Sequence, residues 1–297
     1  MPRTAILICT FDRPELLRSL LAALARDRQP DTRVVVLDNG ATPSEHIVTA
    51  FRAALDVDYQ RLASPGLAAA RNACLRAALA QRPEFLAFID DDELPEPGWL
   101  ASLLRTLTET GADFATGPVV PRFVDPPPSW ITRGRFFEKS GETYCTSNLI
   151  IRASALPPDE RDWFQPAFNF SGGEDNEFLN RLADNGAAHA VARDAVVIET
   201  IPPGRMKRRY VWRGGLRDGV VIAEIAAARR GPGPGCYLFC LWRMTQKLGY
   251  AANHLLWAPL APWRINRAMA DAAAAAGILL RASGRRFAFY GPDAKRG

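Results

Sequence analysis

A chain of 297 residues, 48% hydrophobic and 23% charged, has the composition of an ordinary globular protein with material for a sizeable core. No apolar run approaches the roughly 20 residues that span a bilayer, and five cysteines without a CxxC pair argue against a disulfide framework or a structural zinc. The net charge of +5 divides unevenly: residues 201–297 hold 17 Lys/Arg against 4 Asp/Glu, net +13, and residues 1–200 hold 20 against 28, net −8.

The segment after Met1 runs into a strand-like stretch without the charged, apolar and small-residue regions of a secretory leader, so a reducing, cytoplasmic setting is expected. The pattern predicts a strand over Thr4–Cys9, a loop over Thr10–Pro14, and an amphipathic helix opened by Pro14 with Leu16, Leu17, Leu20, Leu21 and Leu24 at helical spacing. Arg33–Leu37 reads as a second strand ending in the turn Asp38-Asn39-Gly40. A helix over Ile47–Leu55, a short strand near Val57–Arg61, a break at Ser64-Pro65-Gly66 and a helix over Leu67–Ala80 follow. Phe85–Ile89 is an apolar run of strand length that ends in Asp90-Asp91-Asp92-Glu93. This alternation predicts an α/β fold, a Rossmann-like, mostly parallel sheet flanked by helices.

Further on, the reading is a helix over Trp99–Thr110, a strand over Phe114–Val120, a loop from Pro126 to about Glu142 and a strand over Thr143–Arg152. Ser171 has the form of a helix N-cap with Glu174 at capping-box spacing, and a last core strand is expected over Ala188–Ile198. Pro202-Pro203-Gly204 marks a boundary between a catalytic-type domain over 1–200 and a basic, mainly helical region over 201–297. In that region helices are expected at Val220–Ala228 and Tyr237–Leu248, with weak order from about Arg285.

Ligands of open α/β sheets sit beyond the carboxyl ends of the strands. Three strands here end in polar residues: Thr10 and Asp12, Asp38, and Asp90–Asp92. Neighbouring parallel strands would bring them to one edge. Three successive carboxylates repel one another unless a cation or hydrogen-bond donors compensate. A hard divalent ion, Mg²⁺ or Mn²⁺, prefers carboxylate and phosphate oxygens. A solvated acidic loop is the plain alternative. The acids of Ser171–Glu177 equally suit a helix N-terminus, while Gly172 and Gly173 permit close approach of a ligand. The basic C-terminal region, with Trp242, Tyr250, Trp257 and Trp263, points to anionic partners, an anionic membrane surface among them, or to packing on the core.

The strand ending in Thr10, the Leu37-Asp38-Asn39 turn, Gly66-Leu67-Ala68-Ala69-Ala70-Arg71-Asn72, Ile89–Glu93 and Gly173-Glu174-Asp175 together resemble a family 2 glycosyltransferase of the GT-A type. Their order matches across about residues 4–200, and within that family the chain resembles the non-processive exopolysaccharide enzymes of succinoglycan type. The resemblance implies an inverting transfer of sugar from a nucleotide-sugar, a UDP-sugar by preference, to a hydroxyl of a saccharide or lipid-linked acceptor. The setting would be the cytoplasm, peripheral to the inner face of the membrane, with no nucleic acid partner. It implies that Thr10, Asp12, Asp38, Arg71, Asp90 and Asp91 contact the nucleotide-sugar, and that Asp92 with Asp90 holds Mn²⁺ or Mg²⁺. Asp175 would be the general base, supported by Glu174. Arg205, Arg209 and Arg213 are candidates for the diphosphate. A late histidine ligand is not expected, since His46, His189 and His254 do not fall in the pattern. A nucleotidyltransferase and a catalytically silent carbohydrate-binding module are the alternatives.

Overall fold

The computed structural model describes residues 3–63, 66–285 and 288–290. In chain order the elements are β1 (Thr4–Thr10), α1 (Pro14–Arg26), β2 (Thr32–Asp38), α2 (Glu45–Thr49), β3 (Asp56–Arg61), α3 (Leu67–Leu79), β4 (Phe85–Ile89), β5 (Glu93–Pro95), α4 (Trp99–Thr110) and β6 (Phe114–Thr116). They continue with β7 (Val119–Phe123), α5 (Ser129–Gly134), β8 (Asn148–Arg152), α6 (Glu174–Asp184), β9 (His189–Val191), β10 (Val197–Ile201), α7 (Arg208–Arg230), α8 (Pro234–Leu256) and α9 (Arg264–Ala282). The expected break at Ser64-Pro65 and most of the expected weakly ordered tail lie outside the described residues. Two compact units result: Met1–Arg122 with Glu138–Asn169 and Glu174–Thr200, and Phe123–Phe137 with Phe170–Gly173 and Ile201–Gly297.

The first unit is built on a seven-stranded sheet of order β3-β2-β1-β4-β8-β6-β9, in which β8 alone runs antiparallel to its neighbours. β1 lies between β2 and β4, parallel to both, and its continuous apolar run is buried on both faces. The α1 stripe Leu17, Leu20, Leu21 and Leu24 packs on one face of the sheet with Trp99, Leu103 and Leu107 of α4. Cys74, Leu75 and Ala78 of α3 and Phe178, Leu179 and Leu182 of α6 belong to the core on the other face.

Several elements are shorter than the pattern suggests, each for a local reason. α2 ends at Thr49 because the next amides bond three residues back, Ala50 to Ile47 and Phe51 to Val48, which tightens the chain out of the α-helix. The strand expected over Phe114–Val120 is two strands in different sheets. Gly117-Pro118 divides it: a Cβ at Gly117 would collide with the Ala195 carbonyl and the Asn148 amide, and Pro118 has no N–H to give a ladder. Asn148 seals this corner. Its Oδ1 accepts from Trp99 Nε1 at 2.8 Å, and its Nδ2 donates to the carbonyls of Pro118 at 3.0 Å and Ala195 at 2.7 Å. The expected Ala188–Ile198 strand divides in the same way into β9 and β10, with Ala192–Ala195 closing a turn between them. The expected Thr143–Arg152 strand starts only at Asn148, and the expected 126–142 loop contains α5 and a bridge pairing Val119 with Lys139.

The second unit is a helical assembly. The helices expected at Val220–Ala228 and Tyr237–Leu248 are the middles of two 23-residue helices, α7 and α8. Glycines inside α7 do not end it, because they are contact points: a Cβ at Gly215 or Gly219 would strike the carbonyls of Ala270 or Ala274 in α9, and one at Gly277 would strike that of Leu216. Ala223 and Ala226 of α7, Cys236 and Cys240 of α8 and Ile278 of α9 form the shared core. Among the described residues no helix is long and apolar enough to cross a membrane.

Candidate active site

The parallel register puts Thr10 opposite Asp38, so β1 and β2 end level, and β4 ends on the far side of β1. Thr10, Asp38 and Asp90–Asp92 therefore meet at one sheet edge. Thr10 Oγ1 donates to Asp91 Oδ2 at 2.8 Å, and Arg13 Nη1 reaches Asp91 Oδ1 at 2.9 Å and Asp92 Oδ2 at 3.3 Å. Asp91 is buried, and burial pushes its carboxyl up to about 6 in spite of Arg13. Asp90 is also raised, chiefly because the surrounding protein shields it from water and further because Asp92 and Asp175 are near, although 42% of its side chain remains accessible.

Asp38, an expected nucleotide contact, ends β2 at this edge. It is fully buried, with Oδ1 accepting from the Gly40 amide at 2.9 Å and Oδ2 from the Ser44 amide and the Tyr59 hydroxyl, each at 2.8 Å. These bonds shape the loop after β2. The Tyr59 phenol is pushed up to about 12, by burial and by its bond to Asp38. Asp12 is exposed, has φ 51°, and accepts from the Thr42 amide at 3.0 Å, so it braces the loop after β1 against the loop after β2. Gly40 permits that approach, because a Cβ there would meet the Asp12 amide.

Arg71, expected beside the base or diphosphate, is a bridge. From α3 its guanidinium pairs with Glu174 Oε1 at the start of α6 and lies 3.6 Å from Asp90 Oδ1. Glu174 is 2% exposed, and its other oxygen, Oε2, has no hydrogen-bond partner. Asp175 accepts from its neighbour Asn176 N at 2.7 Å and from Thr146 N at 3.3 Å. The expected capping box at Ser171 does not form. Gly172 and Gly173 have φ of 82° and 86°, outside the helical region, α6 starts at Glu174, and the Ser171 hydroxyl turns to the Gly172 carbonyl. A cleft of about 350 Å³ opens between Tyr144, Asn176, Asn180 and His189.

Two cations escaped the sequence reading. Arg13 pairs with Asp91 and Asp92 from the short loop between β1 and α1, where no periodicity marks it and its partners are 78 and 79 residues away in the sequence. Lys139 donates to Ser147 Oγ at 3.2 Å and stands among Cys145, Glu93, Glu199 and Asp90. Burial works against its charge, yet those neighbours win and hold the ammonium above its ordinary value. Glu93, 1% exposed, is shifted well upward by burial and by Asp90. Arg205, Arg209 and Arg213 belong to the second unit, where Arg205 Nε donates to the Tyr210 hydroxyl at 2.8 Å. Arg209 and Arg213 are one turn apart on α7.

A mostly parallel sheet whose strand ends collect aspartates, with an acidic helix start tied to them, defines a glycosyltransferase of the GT-A type. The model of glycosyl transferase family 2 matches residues 5–159, and the chain belongs to that family. It is 34% identical over 241 residues to the succinoglycan biosynthesis protein ExoM of Rhizobium meliloti, covering 75% of this chain and 76% of that protein. Among solved structures it is similar in fold to the mannosyltransferase PcManGT from Pyrobaculum calidifontis in complex with GDP-Man and Mn²⁺, with TM-score 0.54 and 18% identity over 99% of this chain and 78% of that one. It is also similar to S. aureus TarS 1-349 in complex with UDP, with TM-score 0.52 and 18% identity over 98% and 94% of the two chains.

Proposed function

We propose that the protein moves a sugar, with inversion, from a nucleotide-sugar to a hydroxyl of a saccharide or lipid-linked acceptor during assembly of a cell-surface polysaccharide. A UDP-sugar is the first donor to test. The observation that carries this reading is the Arg71 bridge, which fastens the triad carrying Asp90 to the helix start carrying Glu174 and Asp175. The likeness to ExoM supports a polysaccharide product, and the nucleotide complexes of PcManGT and TarS support a nucleotide-sugar donor.

Asp90 and Asp92 offer hard oxygen donors at the sheet edge, with 42% and 17% of their side chains accessible. Among the described residues no group of three or more His, Cys, Asp or Glu side chains is arranged around an ion position. Two carboxylates nonetheless fit Mg²⁺ or Mn²⁺, which commonly take one or two carboxylates and complete their shell with phosphate oxygens and water. When bound, the ion acts as a Lewis acid for the negative charge of the departing diphosphate. Arg13 holds Asp91 and Asp92 in place from the side. Asp175 takes the acceptor's hydroxyl proton as that oxygen bonds to the anomeric carbon and the bond to the diphosphate oxygen breaks. The cleft of Tyr144, Asn176 and Asn180 is the proposed seat of the acceptor sugar, since an aromatic ring and amides suit a polyhydroxylated ligand. Arg205, Arg209 and Arg213 are proposed diphosphate contacts, and an anionic membrane surface is the proposed setting.

The test is turnover of a panel of UDP-, GDP- and dTDP-sugars by the full chain with Mn²⁺. Asp175→Asn is expected to lower kcat by about 100-fold or more while leaving donor binding intact, and Asp92→Asn to weaken metal-dependent UDP binding. Full activity in both variants would remove the reading.

A further inference from the structure

α8 carries its polarity in the reverse sense for a helix in water. Tyr237, Leu238, Leu241, Trp242, Leu248, Leu255 and Leu256 are 47–73% exposed, and their spacing of three and four keeps them on one face. The exposed positions among them, Thr245, Gly249, Ala252 and Asn253, are uncharged. The helix has no acidic residue; Lys247 and His254 turn inward to Asp271 of α9, at 3.0 Å and 3.8 Å, and the half-buried Arg243 donates to Gln246 of the same helix at 2.6 Å and lies over the Trp242 ring. The apolar surface continues past the helix end through Trp257 and Leu260, 48% and 81% exposed.

We propose that this face of α8, with the turn that follows it, is a surface that seats in the headgroup and outer acyl layer of an anionic lipid bilayer. The proposal makes specific the membrane setting proposed above and does not depend on the transfer chemistry.

Charge decides the occupant. Residues 201–297 carry net +13. Basic residues bracket the apolar face, with Arg229 and Arg230 just before α8 and Arg264 just after Leu260. A second copy would set like charge against like charge, whereas anionic headgroups complement it. Tyr237, Trp242, Tyr250 and Trp257 are the side chains that favour the membrane–water boundary. The helix is held lengthwise by α9 on its charged side and does not qualify as a span, so it lies in the plane of the interface.

The experiment is co-sedimentation of the full chain with extruded phosphatidylglycerol/phosphatidylcholine vesicles and with phosphatidylcholine alone. Trp fluorescence quenching by brominated lipid runs in parallel. The expected result is binding to the anionic vesicles, quenching, and at least tenfold weaker binding in Leu241→Glu and in Leu256→Glu, both with unchanged circular dichroism. If Leu241→Glu fails to fold, Leu256→Glu and the quenching of the unaltered chain carry the test. No vesicle binding, binding without quenching, or binding unchanged in both variants would overturn the proposal. So would a dimer in sedimentation equilibrium that Leu256→Glu dissociates, which would assign the face to a second copy. Sugar transfer measured without lipid fails or succeeds separately.

Discussion

Arg71 is the residue on which most of the site's electrostatics converge. It is about 10% exposed, its partner Glu174 is 2% exposed, and removal of its charge would leave a carboxylate enclosed without a counter-ion. Breaking such a pair from one side costs about 3–5 kcal/mol, so Arg71→Met is expected to lower the denaturation midpoint markedly in a urea titration, with Arg71→Lys between it and the unaltered chain. His189 gives the pH dependence. Its pKa is lowered by burial, so as pH falls below the ordinary imidazole value of about 6.5 the unfolded chain takes up the proton first. The contribution of His189 is therefore full above that value and lost through the acid side. His189→Gln is expected to narrow the difference in Tm between pH 7.5 and pH 5. At this scale the aspartates were legible, because an apolar run ending in three acids places them at a sheet edge. Arg13 and Lys139 were not, because a single cation in a loop carries no pattern until the fold shows what it faces.

Among the elements, the meeting of α7 and α9 shows most clearly how packing overrides propensity. A glycine in a helix interior costs about 1 kcal/mol against alanine, and the helix expected from the sequence begins only at Val220, after Gly214, Gly215 and Gly219. The structure uses Gly215, Gly219 and Gly277 to bring two backbones together, while Gly214 faces open space. Two substitutions separate these roles. Gly219→Val is expected to destabilise by about 3 kcal/mol or more through overpacking, and Gly214→Ala to stabilise by up to about 1 kcal/mol, both read by thermal and chemical denaturation. The strands of the first unit were legible where they hold an unbroken apolar run, as in β1, β2 and β4. They were misjudged where a short strand turns a corner: Gly117-Pro118 lies within one apolar run, and only the Asn148 side chain shows that the run serves two sheets.

Over the whole molecule, the sign of the charge separates the two parts of the sequence, and that was visible in composition alone: net −8 over residues 1–200 and net +13 over 201–297. What composition did not show is that large exposed apolar side chains gather on α8 and just beyond it, since a helix with Lys247 and His254 turned to its neighbour looks ordinary in a residue count. The attraction of this region for anionic surfaces should be salt-sensitive. Raising ionic strength from 50 mM to 500 mM shortens the screening length from roughly 14 Å to roughly 4 Å and is expected to weaken vesicle binding, while leaving the apolar component measurable by quenching. The Oε2 atom of Glu174 bears on a different question. It sits walled in without a donor, and the folded chain carries that deficit at all times. Only a donor enclosed with it could make good that deficit, since Glu174 is 2% exposed.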